Sequence, residues 1–251
     1  MTDIHTHILP DIDDGAEDVN AAIEILSAEM QQGVKQIVFT PHYYGRKRSP
    51  AQFLARRQAA FEKIQPLLPE GVEVRLGAEV YFTGINMPES DELCKLALEG
   101  TKYVLFEFPF SRAWTEQMFN CLNQFINDTR YTPIVAHIER YHEVWENPSI
   151  VSELVHMGCL IQVNSGAFLD KREKRLAFAL LKHGLVHCLG SDTHDTIFRA
   201  PDYAKAKLAF EKAGYAKEWD MIQDNMKEML SGERLSFPVS RPVKKRFGRY
   251  V

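Results

Sequence analysis

Short apolar runs alternate with longer amphipathic stretches along this chain, and this pattern constrains its fold most strongly. Strand–helix alternation of this kind is typical of α/β proteins built around a parallel sheet. The apolar runs predict seven strands, at residues 2–5, 36–40, 72–78, 103–107, 132–136, 159–163 and 186–190. Seven strand–helix units indicate a barrel related to the eight-stranded (β/α) barrel but shorter by one unit.

Helical spacing of apolar residues fills the segments between these strands. The predicted helices span residues 17–32, 51–67, 88–98, 114–128, 148–157, 175–183 and 201–213, with a last helix around 219–230. Acidic residues are expected in the first turn of the first helix, and Gly33 is expected to end it. Residues 1–251 are predicted to form a single barrel domain with a loosely packed basic tail from about residue 241.

The composition narrows the class of protein. Hydrophobic residues make up 45% of the chain and charged residues 25%, as in ordinary globular proteins. No apolar run is long enough to span a membrane, and no leader is seen, so the chain is expected to be cytoplasmic. The formal net charge of −4 argues against nucleic-acid binding, which usually needs a strongly basic face.

The four cysteines favour neither a disulfide framework nor a thiol phosphatase. Cys94, Cys121, Cys159 and Cys188 are widely spaced, form no Cys-x-x-Cys pair and are interpreted as reduced thiols. None is followed by an arginine six positions later, so the Cys-x5-Arg phosphate loop of thiol phosphatases is absent.

Acidic or imidazole side chains follow six of the seven predicted strands, at the edge where barrels of this class carry their chemistry. Taken singly, each could be an ordinary rim residue. Together they would repel one another or be buried unpaired without cations between them. Nitrogen and oxygen donors suit Mn, Fe, Zn or Co, and this number of donors suits two or three ions. The candidates are His5, His7, His42, Glu79, Glu107, His137, Asp192 and His194.

Two features qualify this candidate set. His5 and His7 are two residues apart in a predicted strand and should therefore point to the same side. Asp14 is a ninth candidate ligand, but it could instead cap the helix that is predicted to begin near Glu17. The other histidines are interpreted as structural; they are His142, His156, His183 and His187.

Six motifs that contain these residues resemble those of the PHP (polymerase and histidinol phosphatase) superfamily. Within it, the chain resembles the bacterial metal-dependent protein-tyrosine phosphatases of capsule and exopolysaccharide gene clusters. The motifs are DIHTHILPDIDDGAED from residue 3, FTPHYY at 39–44, LGAEVY at 76–81, FEFP at 106–109, AHIERY at 136–141 and GSDTHD at 190–195, followed by Arg199. Asp11 stands where that family usually has Gly, and Ile138 where it usually has Pro.

The resemblance implies a distorted seven-stranded (β/α) barrel of the TIM-like PHP type, with a trinuclear metal site for which Mn is the usual activator. It also implies a substrate, phosphotyrosine on the C-terminal tail of a membrane-anchored tyrosine kinase that regulates polysaccharide assembly. Contact with the membrane is expected to be peripheral at most, and the sequence leaves the oligomeric state open.

Four further residues are predicted to contact the substrate, and two of them, Arg140 and Arg199, are also the predicted catalytic residues. Arg140 and Arg199 occupy positions where the family keeps phosphate-binding arginines, and a guanidinium suits a phosphate dianion. From the residues alone, both could equally form surface salt bridges. Tyr43 and Arg46 lie in a basic, aromatic segment after His42, which either binds an acidic phosphopeptide or forms a solvated loop.

Three alternative functions use the same residues. A histidinol-phosphate or other small phosphomonoester phosphatase and a 3′–5′ exonuclease could each use the predicted metal cluster. The ILPxIDDG and HxER elements argue against both, and the acidic balance argues further against a nuclease. The third alternative is a metal-binding scaffold that holds a kinase tail without turnover.

Overall fold

Short parallel strands form the inner layer of the computed structural model, which describes residues 1–111, 113–237 and 241–251. Within those residues the strands of this layer are β1 (Thr2–Thr6), β2 (Gln36–Phe39), β3 (His42–Tyr43), β4 (Glu73–Leu76), β5 (Glu79–Tyr81), β6 (Tyr103–Glu107), β7 (Thr132–Val135), β8 (Leu160–Asn164) and β9 (Cys188–Gly190). Hydrogen bonding gives the orders β1-β2-β4 and β3-β5-β6-β7-β8-β9, with every pairing parallel.

Two of the seven strands resume beyond their predicted ends after an interruption. The second, predicted at residues 36–40, is β2 and resumes after Thr40 and Pro41 as β3; proline has no N–H to donate to a neighbouring strand. The third, predicted at residues 72–78, is β4 and resumes after Gly77 and Ala78 as β5. Backbone bonds from Gly77 N to Phe39 O (2.8 Å) and from Glu79 N to Pro41 O (3.1 Å) keep the two interrupted strands side by side.

The seventh strand lies next to the first and closes the barrel. Asp192 N donates to His5 O at 2.9 Å, and His7 N donates to Thr193 O at 2.9 Å. Thr6 and Thr193 form a parallel bridge at this seam. The predicted seven-unit barrel is therefore confirmed, and its closure brings the first motif of the sequence against the last.

Helices form the outer layer around this barrel. They are α1 (Val19–Gln31), α2 (Pro50–Ile64), α3 (Ser90–Cys94), α4 (Glu116–Thr129), α5 (His142–Glu146), α6 (Ser149–His156), α7 (Lys174–Lys182), α8 (Tyr203–Ala213) and α9 (Ala216–Leu230). The prediction of acidic residues in the first turn of α1 is wrong. Asp18 lies outside the helix as its N-cap and accepts a hydrogen bond from Ala21 N at 2.9 Å. None of the described helices is long and apolar enough to cross a membrane.

The C-terminal segment forms an antiparallel hairpin of β10 (Lys245–Arg246) and β11 (Arg249–Tyr250). Val243, just before the hairpin, is fully buried in the apolar core. Tyr250 is half-buried, and the other residues of 241–251 are exposed. The loose packing expected from about residue 241 therefore stays a prediction, with Val243 as the buried point of attachment.

Candidate metal centre

All nine predicted metal ligands meet at the C-terminal edge of the barrel. Their donor atoms fall into four overlapping groups, and within each group they lie within 4.8 Å of one another. The groups are His7, Asp14, His42 and His194; His5, Glu79 and His137; His5, His7 and Asp192; and His42, Glu79 and Glu107. The shared members make one continuous unit, which we call the nine-residue cluster.

Glu79 lies at the middle of this cluster. Its Oε2 atom is 3.3 Å from Nε2 of both His5 and His7 and 2.9 Å from Nδ1 of His42. Its Oε1 atom is 2.8 Å from Nε2 of His137. A fully buried carboxylate surrounded by four imidazoles would be a central ligand if divalent cations are held here.

Asp14 belongs to the cluster and does not cap α1. Its Oδ1 atom is 3.4 Å from Nε2 of both His42 and His194, although its side chain is 64% exposed. Asp18 caps the helix instead. The alternative role that the sequence allowed for Asp14 is therefore wrong.

Several buried nitrogen and oxygen atoms of the cluster make no hydrogen bond, and such atoms are suited to coordinate cations. His42 Nδ1, Glu79 Oε2, His137 Nδ1 and His194 Nε2 are buried and have no hydrogen-bond partner in the part of the chain that the structure describes. The Nε2 atoms of His5 and His7 also face each other at 3.2 Å. Buried polar atoms without partners are costly, and a cation coordinated between them would satisfy their lone pairs.

The charges of the cluster keep its central carboxylates ionised. Burial would raise the pKa of Glu79, but the charges of His5 and His42 hold this pKa well below its usual range. Burial opposes ionisation of Asp192 as well, and His5 and His137 nevertheless lower its pKa. Burial and the charge of Glu79 raise the pKa of Glu107 to about 7. Ionised carboxylates at the centre are what oxygen ligation of a divalent cation requires.

The backbone conformation of two cluster residues is unusual for residues with a Cβ atom. His137 has φ 31° and Asp192 has φ 55°, both in the left-handed region. Such conformations persist where the surrounding structure imposes them, and they concentrate at functional sites. Each of these two residues lies two positions beyond the end of a strand, and its side chain belongs to the cluster.

Two glycines allow the chain to approach this cluster closely. A Cβ atom at Gly15 would lie 2.0 Å from His7 O, and one at Gly190 would lie 2.5 Å from the Cβ of His5. Neither distance is sterically possible, so only glycine fits at both positions. The glycines next to Asp14 and Ser191 therefore set the path of the loops that carry the ligands.

The sequence analysis missed three residues that orient the candidate ligands, namely Asp13, Gln162 and Asn164. Asp13 Oδ2 lies 2.7 Å from His7 Nδ1 and accepts from His42 N at 2.9 Å. Gln162 Oε1 lies 3.1 Å from His5 Nδ1 and accepts from His137 N at 2.7 Å. Partners of this kind fix the orientation of metal-binding imidazoles. A polar Gln162 inside an otherwise apolar strand was the signal available in the sequence.

Asn164 continues this chain of contacts toward the arginines. Its Nδ2 atom donates to Asp192 Oδ2 at 3.0 Å, and its Oδ1 atom accepts from Gln162 at 2.8 Å. Asn164 thus contacts Oδ2 of Asp192, whereas His5 approaches the other oxygen, Oδ1, at 3.6 Å. The two contacts together orient the carboxylate.

The two predicted arginines point into the site and share one carboxylate. Arg140 Nη1 is 2.9 Å from Asp192 Oδ2, and Arg199 Nη2 is 2.7 Å from Asp192 Oδ1. Each arginine side chain is 36% exposed, whereas Asp192 is 3% exposed. Both guanidinium groups are therefore held at the opening of the cluster. The surface salt bridge considered for them does not fit, because their partner is a buried cluster residue.

Aromatic rings border this opening on two sides. The Arg140 guanidinium lies over the Phe110 ring at 5.0 Å, and that ring stacks on His137 at 5.4 Å. On the other side, the Tyr44 ring lies 5.3 Å from the His42 ring. The two rings form apolar borders to a cluster that is otherwise polar.

The structure buries Tyr43 at the wall of a cavity of about 370 Å³ that it shares with Asp14 and His42. Its ring is 1% exposed and packs on Phe53 at 5.2 Å, and its hydroxyl donates to Arg48 O. A substrate contact by Tyr43 does not fit this position, and Tyr44 is the tyrosine of this segment that borders the cluster. Tyr43 instead anchors residues 45–48, which we call the basic loop.

The basic loop lies beside a cleft of about 180 Å³, and Tyr44, whose ring is 5.3 Å from that of His42, separates this cleft from the cluster. Tyr44, Tyr81, Ile85 and Met87 give the cleft apolar walls, and Arg46 and Lys47 line its edge. Among the described residues, no carboxylate lies within 4.0 Å of the cationic groups of Arg46, Lys47 or Arg48. The basic loop therefore carries unpaired positive charge beside an apolar cleft.

The cysteines lie outside this centre. Cys159 and Cys188 are buried, and burial raises the pKa of both thiols. Cys94 and Cys121 are half-buried on α3 and α4. All four thiols are free, and none belongs to the groups of donor atoms described above.

Comparison with known proteins identifies similar chains over almost the full length. Residues 1–231 match a family described as capsular polysaccharide synthesis, CpsB/CapC. The chain is 33% identical to the tyrosine-protein phosphatase YwqE of Bacillus subtilis, over 98% of each protein. It is 30% identical to the tyrosine-protein phosphatase CpsB of Streptococcus agalactiae, over 92% of this chain and 98% of that protein.

A solved structure shows the same architecture. It comes from a study of YwqE from Bacillus subtilis and CpsB from Streptococcus pneumoniae, described there as unique metal-dependent tyrosine phosphatases. The TM-score is 0.80 at 28% sequence identity, and the match covers 97% of this chain and all of the other.

Proposed function

The chain belongs to the CpsB/CapC family of capsular polysaccharide synthesis, and on this premise we propose that it hydrolyses phosphotyrosine in a protein substrate. The resemblance to metal-dependent tyrosine phosphatases that the motifs indicated is confirmed, and the enzyme class is that of a protein-tyrosine phosphatase. The observation that carries the proposal is the nine-residue cluster with two arginines at its opening.

The nine-residue cluster would hold two or three divalent ions, and we propose Mn²⁺ as the preferred one, with Fe, Zn or Co as substitutes. When bound, such ions lower the pKa of water and neutralise negative charge on a phosphate group. The donor set consists of nitrogen and oxygen only, which suits these metals. The buried atoms of His42, Glu79, His137 and His194 without partners support their binding here.

Arg140 and Arg199 bind the phosphate in this proposal. Their guanidinium groups already lie side by side on Asp192, so little side-chain ordering is needed when a phosphate dianion enters. The planar N–H groups match the oxygens of phosphate in a bidentate manner. As negative charge shifts among these oxygens during hydrolysis, fixed N–H donors stabilise the transition state.

The aromatic borders favour an aryl phosphate over an alkyl phosphate. Phe110 and Tyr44 flank the opening and would contact the ring of a phosphotyrosine that enters phosphate first. A tyrosine phenol has a pKa near ~10 and leaves more readily than a serine alkoxide. Strong acid assistance to the leaving group is therefore unnecessary, and the chemistry requires no cysteine.

The basic loop and its cleft would contact the peptide on one side of the phosphotyrosine. An apolar side chain of the substrate fits between Tyr81 and Met87, and an acidic neighbour would lie near Arg46 and Lys47. We therefore keep Arg46 as a substrate-binding residue and transfer the proposed role of Tyr43 to Tyr44. The substrate we propose is the acidic, tyrosine-bearing tail of a membrane-anchored kinase that regulates capsule or exopolysaccharide synthesis, reached from the cytoplasm.

The test is phosphate release from matched phosphotyrosine and phosphoserine peptides by the full chain. We expect release from phosphotyrosine with Mn²⁺, loss of release after chelation, and no effect of thiol alkylation. Absence of phosphotyrosine hydrolysis by a metal-loaded sample would overturn the proposal. Histidinol phosphate and DNA ends serve as the competing substrates, and binding of a phosphopeptide without turnover would identify a scaffold.

A further inference from the structure

The C-terminal hairpin lies beyond residues 1–231, which the family match covers, and has no role in the proposed activity. Its strands β10 and β11 are joined by paired backbone bonds between Lys244 and Val251, at 2.7 and 2.8 Å. Val243 is fully buried just before it, and Arg241 O lies 3.2 Å from Nδ1 of His183. The hairpin is thus attached to the barrel as a defined structural element.

Phe247 at the tip of this hairpin is not explained by folding. Its backbone is in the left-handed region with φ 49°, followed by Gly248 with φ 72°. Glycine and asparagine favour such turn positions, whereas a residue with a large side chain is disfavoured there. The phenylalanine ring is fully exposed, at 105% of its reference area, so it gains no burial that would offset this disadvantage.

The charge of the hairpin is opposite to that of the rest of the chain. Residues 241–251 contain five basic and no acidic residues, which are Arg241, Lys244, Lys245, Arg246 and Arg249. The remainder of the chain has 25 Lys and Arg residues against 34 Asp and Glu residues. Of the five cations, Lys245 has a carboxylate partner in the described residues, Glu146 at 3.2 Å.

We propose that this hairpin binds the surface of an anionic lipid bilayer, with Phe247 inserted at the boundary between head groups and acyl chains. An exposed apolar ring flanked by lysine and arginine is the combination that interfacial binding requires. The exposed ring lies at the tip, while Lys245, Arg246 and Arg249 lie on the two strands behind it and Lys244 directly precedes β10. A nucleic acid is the less favoured partner, because one projecting ring offers no platform for successive bases.

The first test is sedimentation of the full chain with vesicles of phosphatidylcholine, with and without about one third phosphatidylglycerol. We expect binding to the anionic vesicles alone, and its loss at high salt, because salt screens charges at this surface. Equal binding to neutral vesicles, or no binding to either, would overturn the proposal. So would tighter binding to single-stranded DNA than to the anionic vesicles.

Variants then distinguish the contribution of the Phe247 ring to vesicle binding from that of the basic residues. Phe247→Ser should lower partitioning about fivefold to tenfold, because it removes the inserted apolar surface. Phe198→Ser is the matched control, since Phe198 is 92% exposed elsewhere on the surface and should leave binding unchanged. Lys244→Ser with Arg246→Ser should lower partitioning tenfold or more.

A melting temperature for each variant shows that the fold is intact. If Phe247→Ser proved unstable, the Lys244→Ser and Arg246→Ser variant and the lipid dependence of the unmodified chain would still decide the matter. Partitioning that neither variant changes would assign the binding to another surface and overturn the proposal. The result does not depend on whether the chain hydrolyses phosphotyrosine.

Discussion

Two cationic regions border the candidate site, and they differ in how firmly their side chains are held and in how exposed they are. Arg140 and Arg199 are held on the buried Asp192 at 2.9 and 2.7 Å and are about one third exposed. The basic loop carries Arg46 and Lys47, which are exposed and have no carboxylate within 4.0 Å among the described residues. Preorganised cations contribute to transition-state binding, whereas exposed cations contribute to encounter and selectivity. The four predictions below test this difference.

Removal of the metal should have the largest effect, because substrate bound by either cationic region is hydrolysed at the same nine-residue cluster. We expect activity on any phosphotyrosine peptide to fall at least about 1,000-fold after chelation and to return with Mn²⁺. The melting temperature should fall as well, since ligands that bind only the folded state stabilise it by about 3–4 kcal/mol at 100 to 1,000 times Kd. Activity that survives complete chelation, verified by metal analysis, would contradict the assignment of the cluster.

Substitution of the paired arginines should have the next largest effect. Arg140→Ala and Arg199→Ala should each lower kcat/KM about 100- to 1,000-fold for aryl phosphates and phosphopeptides alike. Arg→Lys at either position should recover a minor part, because an ammonium cannot reproduce the bidentate contact. The double variant Lys212→Ala and Lys217→Ala, on the exposed helical surface, is the control for loss of positive charge. If only KM for peptides changed, Arg140 and Arg199 would act as the basic loop does, in peptide binding and not in transition-state stabilisation.

Substitution of Asp13 should have an intermediate effect through His7. Burial would lower the pKa of His7, but the carboxylate of Asp13 at 2.7 Å raises it well above its usual value. Asp13→Asn keeps the shape but removes the charge that orients the ring, and we expect a loss of about 10- to 100-fold in metal affinity or activity. Titration of the variant with Mn²⁺ distinguishes the two. Recovery of full activity at high Mn²⁺ assigns the loss to affinity, and a lower maximum with an unchanged midpoint assigns it to activity. A variant with both the midpoint and the maximum unchanged would contradict the role of Asp13.

Substitution of the basic loop should have the smallest effect and should depend on the peptide. With a phosphotyrosine peptide that carries flanking glutamates, Arg46→Ala with Lys47→Ala should lower kcat/KM about threefold to tenfold, mainly through KM. With the same peptide carrying glutamines, the loss should be much smaller. The preference of the unmodified enzyme for the glutamate peptide should also weaken as salt increases. Equal losses for the two peptides would show that the loop does not recognise flanking charge.

The strand pattern of the sequence was sufficient to predict the barrel and the edge at which its candidate ligands lie. Acidic and imidazole residues at the ends of apolar runs lie at one edge of a parallel barrel, whatever the details of the loops. His5 lies near the end of β1 and His194 follows β9, far away in the chain, and the structure brings their side chains into one cluster. Sequence position relative to a strand end was therefore informative without knowledge of the contacts.

The residues that the sequence analysis missed depend on loop conformation and side-chain direction. Alternation along a strand places His42 and Tyr44 on one side and Tyr43 on the other, and the structure follows that rule. The same rule that paired His5 with His7 could therefore have favoured Tyr44 over Tyr43. No comparable rule separates Asp13 from Asp14, because the path of their loop depends on the close approach of Gly15 to His7.

The sequence by itself determined the seven-unit barrel, the nitrogen and oxygen donors at its rim and the absence of a thiol phosphatase loop. These properties follow from local periodicity and residue type, which the chain carries without reference to its folded form. The tertiary structure decided that Asp14 lies with the other candidate metal ligands, that Asp192 holds both arginines and that, among the described residues, the basic loop has no carboxylate partner. Each of these depends on contacts across the closing seam or between loops, and local sequence does not encode such distances.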